Sequence, residues 1–168
     1  MARLWRWVEA GLETVISLCL AAMAVVTVID VAGRYLFNAP LKGGYEISEM
    51  MMALTVFAAL PLATRADSHL TVGLLTDRLH GWPRRIHRMV IMAISATALA
   101  FIAWRMGIQA DILTRSGGAS GSLQLPLWPL ARVMSWLGWF SCAVALVLLA
   151  RAALGLDRDA QTGRRIVE

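Results

Sequence analysis

Four long apolar stretches, separated by polar segments, run along the chain. Their uncharged parts are residues 14–29, 50–64, 89–104 and 133–150. As α-helices, stretches of this length extend about 22–27 Å, close to the ~30 Å hydrocarbon core of a bilayer. The pattern predicts an all-α membrane protein with about four transmembrane helices.

The first stretch gains extra turns from charged residues at its end. Asp30 and Arg34 stand four residues apart, a spacing at which opposite charges meet on one helical face. We therefore expect the helix to continue to about Phe37. Pro40 ends it, because proline disfavours the helical conformation in the residue before it.

The second helix is predicted over residues 45–64. Glu46 and Glu49 lie near its N-terminus, where the helix dipole favours carboxylates, and Pro61 lies in its last turn.

The segment between the second and third stretches is the most polar part of the chain. Its leucines recur at helical spacing, at Leu70, Leu74, Leu75 and Leu79. Such a segment can lie along a membrane surface with its leucines in the acyl boundary. We expect a short interfacial helix in this middle loop.

The remaining connections complete the organisation of the chain. Residues 116–122 are rich in glycine and serine, which indicates a flexible loop, and residues 125–129 lead back into the membrane. We interpret residues 1–150 as a four-helix membrane domain and residues 151–168 as a polar cytoplasmic tail.

Composition supports the membrane interpretation. Hydrophobic residues make up 58% of the chain, the mean hydropathy is +0.63, and charged residues make up 16%, against about 25% in an average soluble domain. The basic residues form no continuous stripe with interleaved aromatics, so a nucleic-acid partner is not expected. Arg3 and Arg6 precede the first stretch as in a signal peptide, but no clear cleavage site follows, which favours a retained span.

The basic residues also predict orientation. Eleven of the sixteen lie in the N-terminal segment, the middle loop and the C-terminal tail. Cytoplasmic loops carry such an excess, so we expect both termini and the middle loop in the cytoplasm.

Residues that could carry chemistry are few. Cys19 and Cys142 lie in apolar stretches with no metal-ligand spacing, and all three histidines lie in the middle loop, so a haem held between the spans is not expected. No catalytic group, phosphate loop or metal motif is present, so we expect neither an enzyme nor a cofactor.

Glu46 and Glu49 leave two functional readings open. Ionisable residues in membrane segments are functional candidates by default, and a stand-alone small exporter could carry protons on either carboxylate. Alternatively, both are interfacial groups that cap a helix or pair with a partner. We favour the second reading because both lie at the mouth of the helix. A structural or assembly protein without a transport link is a third possibility.

Several short motifs occur in a fixed order along residues 10–150. They are RYLFN at 34–38, Pro40, Tyr45-Glu46, Glu49, LATR at 62–65, HLTV at 69–72, Leu74-Leu75 and LPLW at 125–128. In this order the chain resembles the small membrane subunit of tripartite ATP-independent periplasmic (TRAP) transporters.

This resemblance implies a role in a larger assembly. Such subunits pair with a large membrane transport subunit, here expected as a separate chain, which carries the sodium and substrate sites. A periplasmic substrate-binding protein delivers an organic anion, often a carboxylate, and a sodium gradient drives import. The small subunit is thought to act as a scaffold in the bacterial inner membrane. The chain shows no internal repeat, which agrees with a subunit that does not transport alone.

The polar residues around the first turn are the candidates for contact with the partner. They are Arg34, Tyr35, Asn38, Glu46, Glu49 and His69. Because four of them bracket one short turn, we expect them to converge there and to hold the hairpin and its partner contacts together.

A fusion experiment tests the predicted orientation. A reporter that is active only in the periplasm, fused after Glu168, should be silent, because the arginine distribution places this end in the cytoplasm. Strong reporter activity would contradict the four-span topology.

Overall fold

The computed structural model describes residues 2–65 and 82–154 and contains four helices. We label them α1 (Ala2–Leu36), α2 (Gly44–Arg65), α3 (Trp82–Ser116) and α4 (Trp128–Ala153). All four are long and apolar enough to cross a membrane, which confirms the predicted all-α membrane protein with four spans. The expected interfacial helix and the end of the polar tail lie outside the described residues.

The helices form two antiparallel hairpins that meet along their inner members. α1 packs against α2, α3 packs against α4, and the two hairpins join where α2 packs against α4. The turn between α1 and α2 and the loop between α3 and α4 therefore lie at the same end of the molecule, which we call the loop end.

Small residues line the seam between α3 and α4. The Ser135 hydroxyl donates to the Ala103 carbonyl across the seam at 2.9 Å. A Cβ placed on Gly138 would lie 2.9 Å from the Ala103 Cβ, so the backbones approach closely there. Further along, the Cys142 thiol faces the Ala96 carbonyl at 3.6 Å. Close approach through small side chains is the usual way in which membrane helices pack, since lipid supplies no hydrophobic drive to association.

Most serine and threonine hydroxyl groups inside the described helices bond within their own helix. Seven of them donate to the carbonyl four residues earlier, at 2.7–2.9 Å. They belong to Thr14, Thr27, Thr55, Thr64, Thr97, Thr114 and Ser141. In hydrocarbon an unpaired hydroxyl is costly, and this bond lets Thr and Ser occupy spans without a partner helix.

Most of the surface of α1 is exposed and aliphatic. Val15, Leu18, Val25, Val28 and Ile29 are exposed, and no part of its most apolar window is buried inside the protein. Such a surface is suited to lipid or to the apolar face of another membrane helix.

Three helices end close to where the sequence predicts, whereas α1 begins twelve residues before its apolar run and α3 exceeds its run at both ends. α1 continues past Asp30 to Leu36, as its charge pair predicts, and α2 and α4 extend their apolar runs by only a few residues. α3 begins seven residues before its apolar run and ends twelve residues after it. Its flanks contain good helix formers such as Arg, Met, Gln and Leu, so the helix does not stop where the hydrophobicity does.

Substitution of Gly138 tests the seam. Gly138→Leu should lower the stability of the purified chain in detergent by about 2 kcal/mol, because a larger side chain forces α3 and α4 apart. Ala143→Leu, on the exposed face of the same helix, is the control and should change the melting temperature little. Equal melting temperatures for the two variants would contradict the described packing.

Candidate functional site

Two connecting segments meet at the loop end, and one glycine lets them pack together. Gly43 has a φ of 78°, a conformation that glycine adopts without strain. A Cβ at this position would lie 2.3 Å from the Leu123 side chain. Leu123 of the α3–α4 loop therefore covers the turn between α1 and α2 in direct contact with its backbone.

The end of α1 is closed by a tight backbone turn. The Gly33 carbonyl accepts hydrogen bonds from the amides of Phe37 and Ala39, at 3.2 and 3.0 Å. Asn38, with a φ of 53°, supplies the left-handed residue that turns the chain, a conformation that Asn tolerates better than most residues. A Cβ at Gly33 would lie 2.6 Å from the Ala39 oxygen, so this turn requires glycine there.

Asp30 fixes the turn from the side of α1. One carboxylate oxygen accepts from the Arg34 guanidinium at 2.8 Å, and the other accepts from the Leu41 amide at 2.9 Å. The predicted pairing of Asp30 with Arg34 is confirmed. Its second bond spans eleven residues and ties the start of the next segment back to α1.

The loop between α3 and α4 has a built backbone structure, although its composition predicts flexibility. The Gly118 amide donates to the Leu113 carbonyl, with Gly117 at a φ of 64°, which is a Schellman ending of α3. Two antiparallel bonds follow, from Ser120 to Leu125 and from Leu127 to Gly118, at 2.9 and 3.1 Å. Glycine here allows the backbone to turn tightly. Composition alone does not distinguish such an ordered loop from a flexible one.

Glu46 binds the tip of that loop. Its carboxylate accepts hydrogen bonds from the amides of Ser122 and Leu123, the latter at 3.0 Å. A carboxylate offers acceptors only, and amides at a loop tip offer donors that no helix or strand satisfies. Glu46 therefore links α2 to a loop that lies more than seventy residues away in sequence.

The other predicted contact residues share the loop end but do not meet at one point. Arg34 and Tyr35 are exposed at the end of α1, with Tyr35 81% exposed. Glu49 is exposed on α2 and makes no hydrogen bond with the residues that the structure describes. His69 lies outside those residues. The expected convergence is thus partial: Arg34 faces Asp30, while Glu46 faces the other hairpin.

The ion pair between Asp111 and Arg132 is one that the sequence does not reveal. The Arg132 guanidinium lies 2.7 Å from the Asp111 carboxylate. This pair joins the turns of α3 and α4 that lie nearest the loop end. The two residues are twenty-one positions apart, so only the packing of the hairpin shows that they meet.

A second unpredicted cluster lies where the start of α1 meets the end of α2. Arg65 forms an ion pair with Glu9, and its guanidinium stands 4.8 Å from the centre of the Trp5 ring. Trp5 also stacks on Phe140 of α4, with ring centres 6.0 Å apart. Cation–π and ion-pair contacts together hold α1 against its neighbours at this end.

The chemistry of these groups is that of structural clamps. Among the described residues no three His, Cys, Asp or Glu side chains come close enough to hold a metal ion. The three ion pairs and the Glu46 hydrogen bonds each join different turns of the chain. None of these four sites places a nucleophile beside a base.

Comparison of Glu46→Gln with Glu49→Gln tests the clamp. Glutamine replaces one acceptor oxygen with a donor NH₂, so the 46 variant loses at least one loop amide bond. Hydrogen exchange of peptides that cover residues 117–127 should become severalfold faster in this variant. Glu49→Gln, one turn away and without a described partner, should leave it unchanged. Equal exchange in both variants and the parent chain would show that Glu46 does not order the loop.

Comparison with known families agrees with these features. A family model described as "Tripartite ATP-independent periplasmic transporters, DctQ component" matches residues 23–155, from the middle of α1 to the end of α4. Neither the comparison with curated proteins nor that with solved structures gives a match. The match covers most of the 168 residues and all of the loop-end site, so the chain belongs to the DctQ family, the small membrane subunits of TRAP transporters.

Proposed function

We propose that this chain is the accessory subunit of a sodium-driven, binding-protein-dependent importer of organic anions such as carboxylates. Its task is to scaffold a separate large membrane subunit, which carries the sodium and substrate sites. It lies in the bacterial inner membrane with both termini in the cytoplasm, and a periplasmic substrate-binding protein completes the system.

The observation that supports a scaffold is that the acidic side chains at the loop end bond to other parts of this chain. Asp30, Glu46 and Asp111 are each bonded within the chain at the loop end. Around Ala103 the described seam between α3 and α4 is packed through small side chains, and its charged pair, Asp111–Arg132, lies at the loop end. A transport path needs polar groups that face a cavity between helices, whereas this arrangement favours a rigid support.

The stand-alone proton-coupled exporter remains the second candidate, with Glu46 or Glu49 as the carrier. The bonding of Glu46 to backbone amides weighs against it, because a carboxylate held by two donors is not free to exchange protons with a substrate site. Glu49 has no such bond among the described residues and is the better test of that reading.

Co-purification tests the scaffold role. The tagged chain, extracted from its host in mild detergent, should bring down a membrane protein of about a dozen spans. Together, Glu46→Gln and Glu49→Gln should reduce the amount of complex, because the loop end is loosened. Lys42→Gln, which removes an exposed charge from the same turn, is the matched control and should leave recovery unchanged.

Transport by the recovered complex separates the two candidates. In proteoliposomes supplied with the binding protein, a sodium gradient should drive anion uptake, and a potassium gradient should not. Per assembled complex, the double glutamine variant should keep the parent's sodium dependence and apparent substrate affinity. A shift in either would assign these carboxylates to a transport site, and proton-coupled efflux by the chain alone would establish the exporter.

A further inference from the structure

Large aromatic side chains on α3 and α4 lie at one level of the hairpin. Ala103 contacts Ser135 and stands against Gly138, so the antiparallel register places residue 104 opposite residues 135–138. Trp104 and Trp136 therefore share a level, and they are 54% and 72% exposed. Exposed Phe101 and Trp139 lie within about one turn of them.

Arg105 lies at the same level and is exposed. It forms no ion pair with any residue that the structure describes. An indole with an apolar body and a polar N–H, beside an unpaired guanidinium, matches the glycerol and phosphate region of a lipid leaflet. The arginine charge is complementary to lipid phosphate, and the ring is suited to the boundary itself.

The hairpin differs in character on the two sides of this level. Toward the termini, large apolar side chains are exposed on α3 and α4, among them Val90, Ile94, Leu146 and Val147. Toward the loop end lie the Asp111–Arg132 ion pair and the hydrogen-bonded loop 117–127. Charged pairs are retained cheaply where water reaches them and at high cost in hydrocarbon.

Trp128 competes as a marker of the membrane boundary, but the register separates it from Trp104. It begins α4 and lies eight residues, about 12 Å, beyond Trp136 toward the loop end. If the boundary were at Trp128, Arg105, Asp111 and Arg132 would all lie in hydrocarbon. Both tryptophans cannot mark the same interface.

We propose that Trp104, Arg105 and Trp136 form a belt that binds the headgroup region of the loop-side leaflet. Consequently the last twelve residues of α3 and the first turns of α4 project about 18 Å or less into water, instead of crossing the membrane. The membrane part of α3 is then its uncharged run, residues 89–104.

If the end of α3 and the start of α4 extend into water, the loop-end site lies in water as well. Glu46 binds the loop that closes the projecting part of the hairpin. Its hydrogen bonds therefore form outside the hydrocarbon core.

Two isoleucines on α3 provide a matched test of the belt. Ile112, beyond the belt, is 52% exposed, and Ile94, on the membrane side of it, is 63% exposed. Each is replaced by cysteine in the full chain, with Cys19→Ala and Cys142→Ala as background, in nanodiscs of phosphatidylcholine and phosphatidylglycerol. A charged maleimide should label position 112 faster by about tenfold or more, because charged reagents are excluded from hydrocarbon.

Spin labels provide the second measurement and a second helix. Nitroxides at positions 112 and 94 are compared with nitroxides in Val133→Cys and Val147→Cys of α4. Collision with a water-soluble nickel chelate should be strongest at 112, intermediate at 133, and weakest at 94 and 147, with the reverse order for oxygen. Slow labelling of position 112, together with more collisions with oxygen than with the nickel chelate there, would place the loop-end turns of α3 in the bilayer. This result would contradict the proposed belt.

Discussion

The carboxylate of Glu46 is the polar group on which the arrangement of the two hairpins depends. Within residues 2–65 and 82–154 it makes the only side-chain hydrogen bonds that pass from one hairpin to the other. Its two oxygens match two successive loop amides, and Leu123 supplies the apolar half of the same contact by packing on Gly43. One acidic side chain therefore sets how the loop between α3 and α4 lies on the turn between α1 and α2.

The bonding of the remaining polar groups reflects the absence of hydrogen-bond partners in lipid. A bilayer core offers no hydrogen-bond partner, so most serine and threonine hydroxyls inside the spans donate to a carbonyl of the preceding turn, and the described ion pairs lie near helix ends. Around Ala103 and Gly138 the α3–α4 seam is packed through small residues, so close approach of the backbones takes the place of hydrophobic drive. Close packing of this kind suits the proposed scaffold role.

Sequence reasoning reached those features that local spacing determines. The four spans, the continuation of α1 past Asp30 and the Asp30–Arg34 pair all depend on neighbours within a few residues. The Asp111–Arg132 and Glu9–Arg65 pairs join distant positions and appear only once the helices are packed. Glu46 and Glu49 looked equivalent at a spacing of three residues, yet only Glu46 points to the loop. Which of them does so is decided by hairpin packing, not by helix geometry.

The position of the membrane boundary along the helices bears on the two proposed roles of Glu46, proton carrier and structural clamp. A proton-carrying exporter needs its carboxylate within the barrier, where protonation and substrate binding compete. The proposed belt at Trp104 and Trp136 places the Glu46 clamp outside the hydrocarbon core, which favours the scaffold over the exporter. Tyr35, Phe37 and Tyr45 are exposed near the same turn, so large apolar groups stand next to the clamp. Apolar surface of this kind in water is characteristic of a protein contact site, which agrees with the proposed scaffold role.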